Sequence, residues 1–370
     1  MTGMLRNRKG LLGALLAAWF NLPVAVLLGG IGMVVGGLGG YLGGALSGHS
    51  TADSWANDIP ILNSLLSSAL LQGGGILGLL IGAAAGAVGG FLVGLALPWL
   101  AIAAASPFEG VGRFLAQLVV AFLCGGLYTL YGIASEGWML RIRNGARIPS
   151  RRESALIEPI IEECAKRLGL TSTPVLLMSD AREVNAYAAA RHIMVNKGFL
   201  DDFDYDPEPL AGVICHELTH WRNADYVSSL FIRGVALPLY ITYNICSWLL
   251  QMTRGTIQFI IMFMTWPVMV SIKYVVMPLQ AAGSREAEYR ADQGAVYAGY
   301  RTGLRRVLAY FRGSFDGASN GWEETALASH PPNELRLEAI EEAGVEYPLP
   351  DADNPAAPMP VIVTGSLARD

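Results

Sequence analysis

The chain has 370 residues, of which 52% are hydrophobic and only 15% charged, against about 25% charged in a soluble globular chain. Its net charge of −5 is mild and speaks against a nucleic-acid partner. The four cysteines are scattered, which excludes a disulfide framework or a cysteine zinc site and leaves buried, reduced thiols as the reading.

The charge deficit is concentrated. No Asp, Glu, Lys or Arg occurs from Leu11 to Ala52, from Ile59 to Phe108, from Phe114 to Ser135, from Gly234 to Thr253, or from Gly255 to Ile272. A bilayer span needs roughly 20 apolar residues, so the chain reads as a multi-pass membrane protein with the lipid bilayer as a partner. The basic start followed by an apolar run resembles a secretory signal, but no polar cleavage region follows and an uncleaved anchor is expected.

Residues 1–140 form the first region, with spans expected near 22–46, 74–100 and 114–135 and a possible fourth. Gly32, Gly36, Gly40, Gly44 and Gly48 recur every fourth residue, as do Gly74, Gly78, Gly82, Gly86, Gly90 and Gly94. On helices such spacing makes flat stripes that admit another helix closely. Packing of two helices in one bundle is the first expectation, and a homo-oligomer through the striped helices the second.

Residues 141–225 are polar. "SALIEPIIEECAKRLGL" has helical spacing and closes on Gly169. "TPVLLMSD" reads as a strand, and "EVNAYAAARHIMVN" as two more with a turn near Arg191. "DPEPLAGVICHELTHWRNAD" reads as a helix with Pro207 or Pro209 in its first turn. Residues 226–282 return to the membrane as a helical hairpin about Arg254–Gly255. Residues 283–345 are polar and helical again, and 346–370 form a loose, proline-rich tail. The polar domain is thus split by the hairpin. Arg222, Arg233, Lys273, Arg285 and the arginines at 141–152 lie on its side, which places it on the cytoplasmic face.

The chemistry is carried by His216, Glu217 and His220, in a chain with five histidines. Residues four apart share a helix face, so His216 and His220 can hold one ion while Glu217 reaches a water on it. H-E-x-x-H is the metalloprotease pattern for this reason. The ion expected is zinc, one per chain, which accepts imidazole nitrogen and keeps a position open for water. A third ligand is then needed. "SREAEYRADQGA" offers Glu288, with Asp292 one turn on to hold a ligand histidine. Glu286 is the rival, although it faces away from Asp292.

These residues match a family. "HELTHWRNAD" followed by "SREAEYRAD" resembles the HtpX-type membrane zinc metallopeptidases, relatives of the CAAX-prenyl-protein endopeptidases. "VNAYAA" at 184–189 and "SHPPNELRLEAI" at 329–340 resemble two further elements of that family. The resemblance covers about 150 to 345. It implies a mainly α fold with a small β-sheet, in which a zincin-like α+β catalytic domain is split by a transmembrane hairpin. It implies Glu288 as third ligand, Asp225 and Asp292 as supports of the ligands, and an edge strand at Asn185, Ala186 and Tyr187 that pairs with a protein or peptide substrate. His330 would approach the site and stabilise an oxyanion, with Arg336 supporting that element. His49 is read as solvated surface in an acidic loop between spans, His192 as structural and Cys215 as a small core residue.

The function expected is a zinc endopeptidase acting on membrane or membrane-associated proteins in quality control, with Glu217 as general base. Prenyl-protein processing and a non-enzymatic scaffold built on the glycine-striped helices are the alternatives. The chain departs from the familiar plan of the family in its longer, glycine-striped membrane region.

Overall fold

A computed structural model describes residues 7–55, 60–311, 330–341, 346–347 and 362–363. In chain order these form α1 (Arg8–Trp19), α2 (Leu22–Trp55), α3 (Pro60–Ala105), α4 (Pro107–Asn144), β1 (Ala146–Arg147), α5 (Arg151–Arg167), β2 (Val175–Ser179), β3 (Ala186–Ala188), β4 (His192–Asn196), α6 (Lys197–Asp202), α7 (Pro207–Asn223), α8 (Asp225–Val235), α9 (Leu237–Met252), α10 (Gly255–Ser271), a π-helical turn (Ile272–Val276), α11 (Met277–Tyr297), α12 (Arg301–Tyr310), α13 (Asn333–Ile340), β5 (Glu346–Tyr347) and β6 (Ile362–Val363). The fold is mainly helical with a small mixed sheet. Most of the expected tail lies outside the described residues; its two described segments, β5 and β6, pair antiparallel.

The chain divides into two compact units. One holds 14–123 and 235–276; the other holds the described residues of 1–13, 124–234 and 277–370. Candidate membrane spans are Leu22–Ser47, Gly73–Ala96 and Phe108–Asn144, and two bent helix pairs in 225–252 and 255–297 bring the number to as many as five. The uncharged run from Leu11 is broken between α1 and α2, where Asn21 takes φ +57°, a left-handed conformation that asparagine tolerates better than most side chains.

In the first unit, α2 and α3 pair through their glycines. A Cβ built on Gly36 would lie 2.2 Å from the Gly82 carbonyl oxygen, and one on Gly40 would lie 2.0 Å from that of Gly78. The reciprocal contacts repeat along both stripes. Backbone therefore meets backbone, and the two stripes occupy each other within one chain. The expected homo-oligomer through these faces finds no support: the surface it needed is already used.

The second unit has a side-chain core. Ile157, Ile161 and Cys164 line one face of α5, and Ile214 and Leu218 one face of α7. They form one buried cluster with Met178, Ile193 and Val195 of the sheet and with Leu304 and Leu337. The helix α5 starts on a reciprocal cap, Ser150 Oγ accepting from Glu153 N and Glu153 accepting from Ser150 N. It ends at Leu168, just before Gly169 at φ +68°. The sheet order is β1-β2-β4-β3, with β2 and β4 parallel and the outer pairs antiparallel. That order puts β3 at an edge, beside α7.

Candidate metal centre

The helix α7 starts on Pro207, with Asp206 Oδ1 accepting from Glu208 N. It delivers His216 and His220 to one face. Their Nε2 atoms stand 3.1 Å apart. The third group comes from α11. Gly294 lets that helix close on α7, since a Cβ there would fall 2.1 Å from Thr219 Oγ1. Glu288, six residues earlier on the same helix, then reaches both rings: Oε2 is 3.5 Å from His216 Nε2 and Oε1 is 3.6 Å from His220 Nε2. Donor atoms 2.0–2.1 Å from a tetrahedral zinc stand about 3.3 Å apart, so the three are spaced as a zinc triad requires. Among the described residues they are the group of His, Cys, Asp or Glu side chains that could hold a metal ion.

Each ligand has a support. Ala224 ends α7 in the left-handed region, at φ 55°, with its N–H on the carbonyls of His220 and Trp221. A non-glycine residue there is strained. The turn that results returns Asp225 to His220, with Oδ2 2.9 Å from Nδ1. Asp292 Oδ1 lies 2.8 Å from His216 Nδ1, close but not aligned as a hydrogen bond. Asp292 is itself gripped by Arg336 of α13 through two bonds, Nε to Oδ2 at 2.8 Å and Nη2 to Oδ1 at 2.7 Å. Arg336 Nη2 also lies 3.2 Å from Glu288 Oε2. Burial disfavours charge on His220, but Asp225 and Glu288 outweigh it and carry the pKa up to about 10.

Glu217 and His330 complete the cleft of about 210 Å³, which Ala188, Tyr226 and Glu288 also line. Glu217 Oε2 accepts from the backbone N–H of Ala188 at 2.8 Å. His330 Nδ1 is 3.1 Å from Glu288 Oε1, and that carboxylate raises the pKa of His330. The rival acid Glu286 instead pairs with Lys9. Of the expected substrate strand, Asn185 gives its carbonyl to Asn196 N at 3.0 Å, and Ala189 N donates to His192 O at 2.8 Å. Backbone groups alternate along an antiparallel strand, so those of Asn185, Tyr187 and Ala189 turn to β4. Those of Ala186 and Ala188 turn to the open edge. Tyr187 Oη bonds Asn144 Nδ2 at 2.7 Å and Met194 Sδ at 3.4 Å.

The family model for peptidase family M48 matches residues 151–344, a stretch that holds all three candidate ligands and more than half the chain. The chain belongs to peptidase family M48. As a family member it is a zinc metallopeptidase with protein substrates, similar to HtpX membrane proteases. It is 26% identical over 259 residues to a protease HtpX homolog of Salinibacter ruber, covering 63% of this chain and 89% of that one. It is 24% identical over 293 residues to a protease HtpX homolog of Dictyoglomus thermophilum, covering 71% and 93%. A solved structure, S. mikatae Ste24p, aligns over 70% of this chain and 63% of its own length, with a TM-score of 0.44 and 16% identity.

Sequence reasoning did not find two contributors. One is the Ala188 N–H on Glu217, a backbone group that carries no sequence signal. The other is Glu136 on α4, buried against the loop between β3 and β4. Its signal was available: it is the first charge after the uncharged run that ends at Ser135.

Proposed function

We propose that the chain is a membrane endopeptidase that cuts membrane or membrane-adjacent proteins for quality control, with its catalytic domain on the cytoplasmic side. The observation that carries the hydrolytic reading is the convergence of His216 Nε2, His220 Nε2 and a Glu288 oxygen to within 4.8 Å of one another. The protease reading agrees with the relatives' names, protease HtpX homologs, and the cytoplasmic placement rests on the arginines that flank the spans.

These three residues would hold the zinc, and Asp225 and Asp292 would fix the rings through the nitrogens that face away from it. Zinc supplies Lewis acidity there, acidifying water and polarising the scissile carbonyl. An extended substrate adds to the open edge of β3 through the backbone groups of Ala186, the one member of the Asn185–Ala186–Tyr187 segment whose groups face outward. Glu217, oriented by Ala188, takes a proton from the water as its oxygen bonds the carbonyl carbon. The C–N bond then breaks, and Glu217 passes that proton to the leaving amine. His330, which reaches the cleft beside Glu288, donates to the oxyanion of the tetrahedral intermediate.

Metal analysis of the purified protein and a casein assay test this. Glu217→Gln should retain one zinc per chain and lose about 10²–10⁴-fold in rate. Cutting by Glu217→Gln at the wild-type rate would overturn the mechanism.

A further inference from the structure

The loop that ends the edge strand lacks the chemistry it needs. Ala189 and His192 are joined by the N–H to O bond already noted, so Ala190 and Arg191 are the two central residues of a tight hairpin. Two-residue hairpins favour turns with a positive φ, usually supplied by glycine or asparagine. Neither Ala190 nor Arg191 has one. The support comes from outside the hairpin. Glu136, 2% exposed, accepts from Ala190 N at 3.0 Å through Oε2, and from Arg191 N at 2.9 Å and His192 N at 3.2 Å through Oε1. The His192 ring stands against the same oxygen, Nδ1 to Oε1 at 2.8 Å. Two loop carbonyls are held as well: that of Ala190 accepts from Trp221 Nε1 at 3.0 Å, and that of Arg191 from Val175 N at 2.9 Å. A buried carboxylate with this many donors is a strong, directional anchor.

We propose that Glu136 is a positioning residue for peptide hydrolysis: by gripping the 190–192 loop from α4 it fixes the edge strand two residues away. That strand presents Ala188 N–H to Glu217 and the outward groups of Ala186 to substrate. One carboxylate thus bears on both the general base and the substrate register, and touches neither. Trp221 ties the same loop to the zinc helix, one residue past His220, so the strand is held at both sides of its turn. The proposal rests on the hydrolase reading above.

The test uses full-length protein in detergent, zinc-loaded, with three readouts. These are zinc content, hydrogen–deuterium exchange of peptides covering 184–193, and kcat and KM on a long and a short quenched fluorogenic peptide. Glu136→Ala should keep its zinc and exchange faster across 186–192. Its kcat/KM should fall roughly tenfold to a hundredfold, more for the long peptide, which uses more of the edge. Glu136→Gln, which keeps an acceptor oxygen, should fall between, and it serves equally if the alanine variant does not accumulate. The decisive arm is rescue. Ala190→Asn with Arg191→Gly, which gives the loop a turn that closes unaided, should restore activity to Glu136→Ala. The proposal is overturned if exchange at 184–193 is unchanged, if the rate falls only in step with zinc, or if the new turn restores nothing. A wild-type chain without zinc-dependent cutting would instead sink the hydrolase reading, and the exchange data alone would then decide the anchor.

Discussion

The two units solve close packing in opposite ways. In the membrane unit, α2 and α3 touch backbone to backbone because glycine stripes remove the side chains between them. In the catalytic unit, α5, α7 and the sheet meet through interlocked aliphatic side chains, and the buried charged groups are paired: Asp292 with Arg336, Glu136 with three amides and a ring. Lipid offers no hydrophobic drive between helices, so contact area and close approach must do the holding. In water, apolar burial drives collapse and frees the polar groups to be arranged for chemistry.

The largest break in that contrast should come from the stripe. Gly82→Leu puts a side chain where the Gly36 carbonyl oxygen now stands 2.1 Å from the Cβ position, and backbone cannot move aside cheaply. The α2–α3 pair should separate. Cysteine crosslinking between the two helices would read this as lost pairing, while zinc content of the catalytic unit stays near wild type. A smaller effect should follow Asp225→Ala, which removes the partner of His220 Nδ1. Zinc affinity should weaken about 10–100-fold, measured by chelator competition, with helix pairing in the other unit unaltered. The smallest concerns Glu153. Arg147 holds its carboxyl down to about 2, with the Ser150 cap contributing. A lowered carboxylate pKa contributes stability above the ordinary carboxylate range, lost as pH falls towards the folded value. The melting temperature of wild type should therefore exceed that of Glu153→Gln near neutrality, by the equivalent of about 1 kcal/mol. The two should converge as pH drops to about 2.

How much of this the sequence shows depends on the distance over which a contact acts. His216 with His220, and Glu288 with Asp292, are four apart on single helices, and a helix converts that spacing into a shared face whatever surrounds it. The strands around Arg191 were legible for the same local reason. The glycine periods announced close packing, although only the structure pairs Gly36 with Gly82 rather than with a second copy. Contacts made through backbone or across elements left no pattern. Ala188 matters through an amide that every residue but proline owns. Glu136 acts on a loop 54 residues away, and nothing periodic links the two. Arg336 was noted only as a support, yet it is bonded twice to Asp292 and lies against Glu288.

The order of elements has a consequence for biosynthesis. Both imidazoles leave the ribosome before the α9–α10 hairpin, and the carboxylate of Glu288 emerges only after it. A nascent chain halted anywhere up to the hairpin carries two of the candidate ligands and Glu217 but not the third candidate ligand. On the proposed mechanism, competence to cut would be withheld until the hairpin has been made.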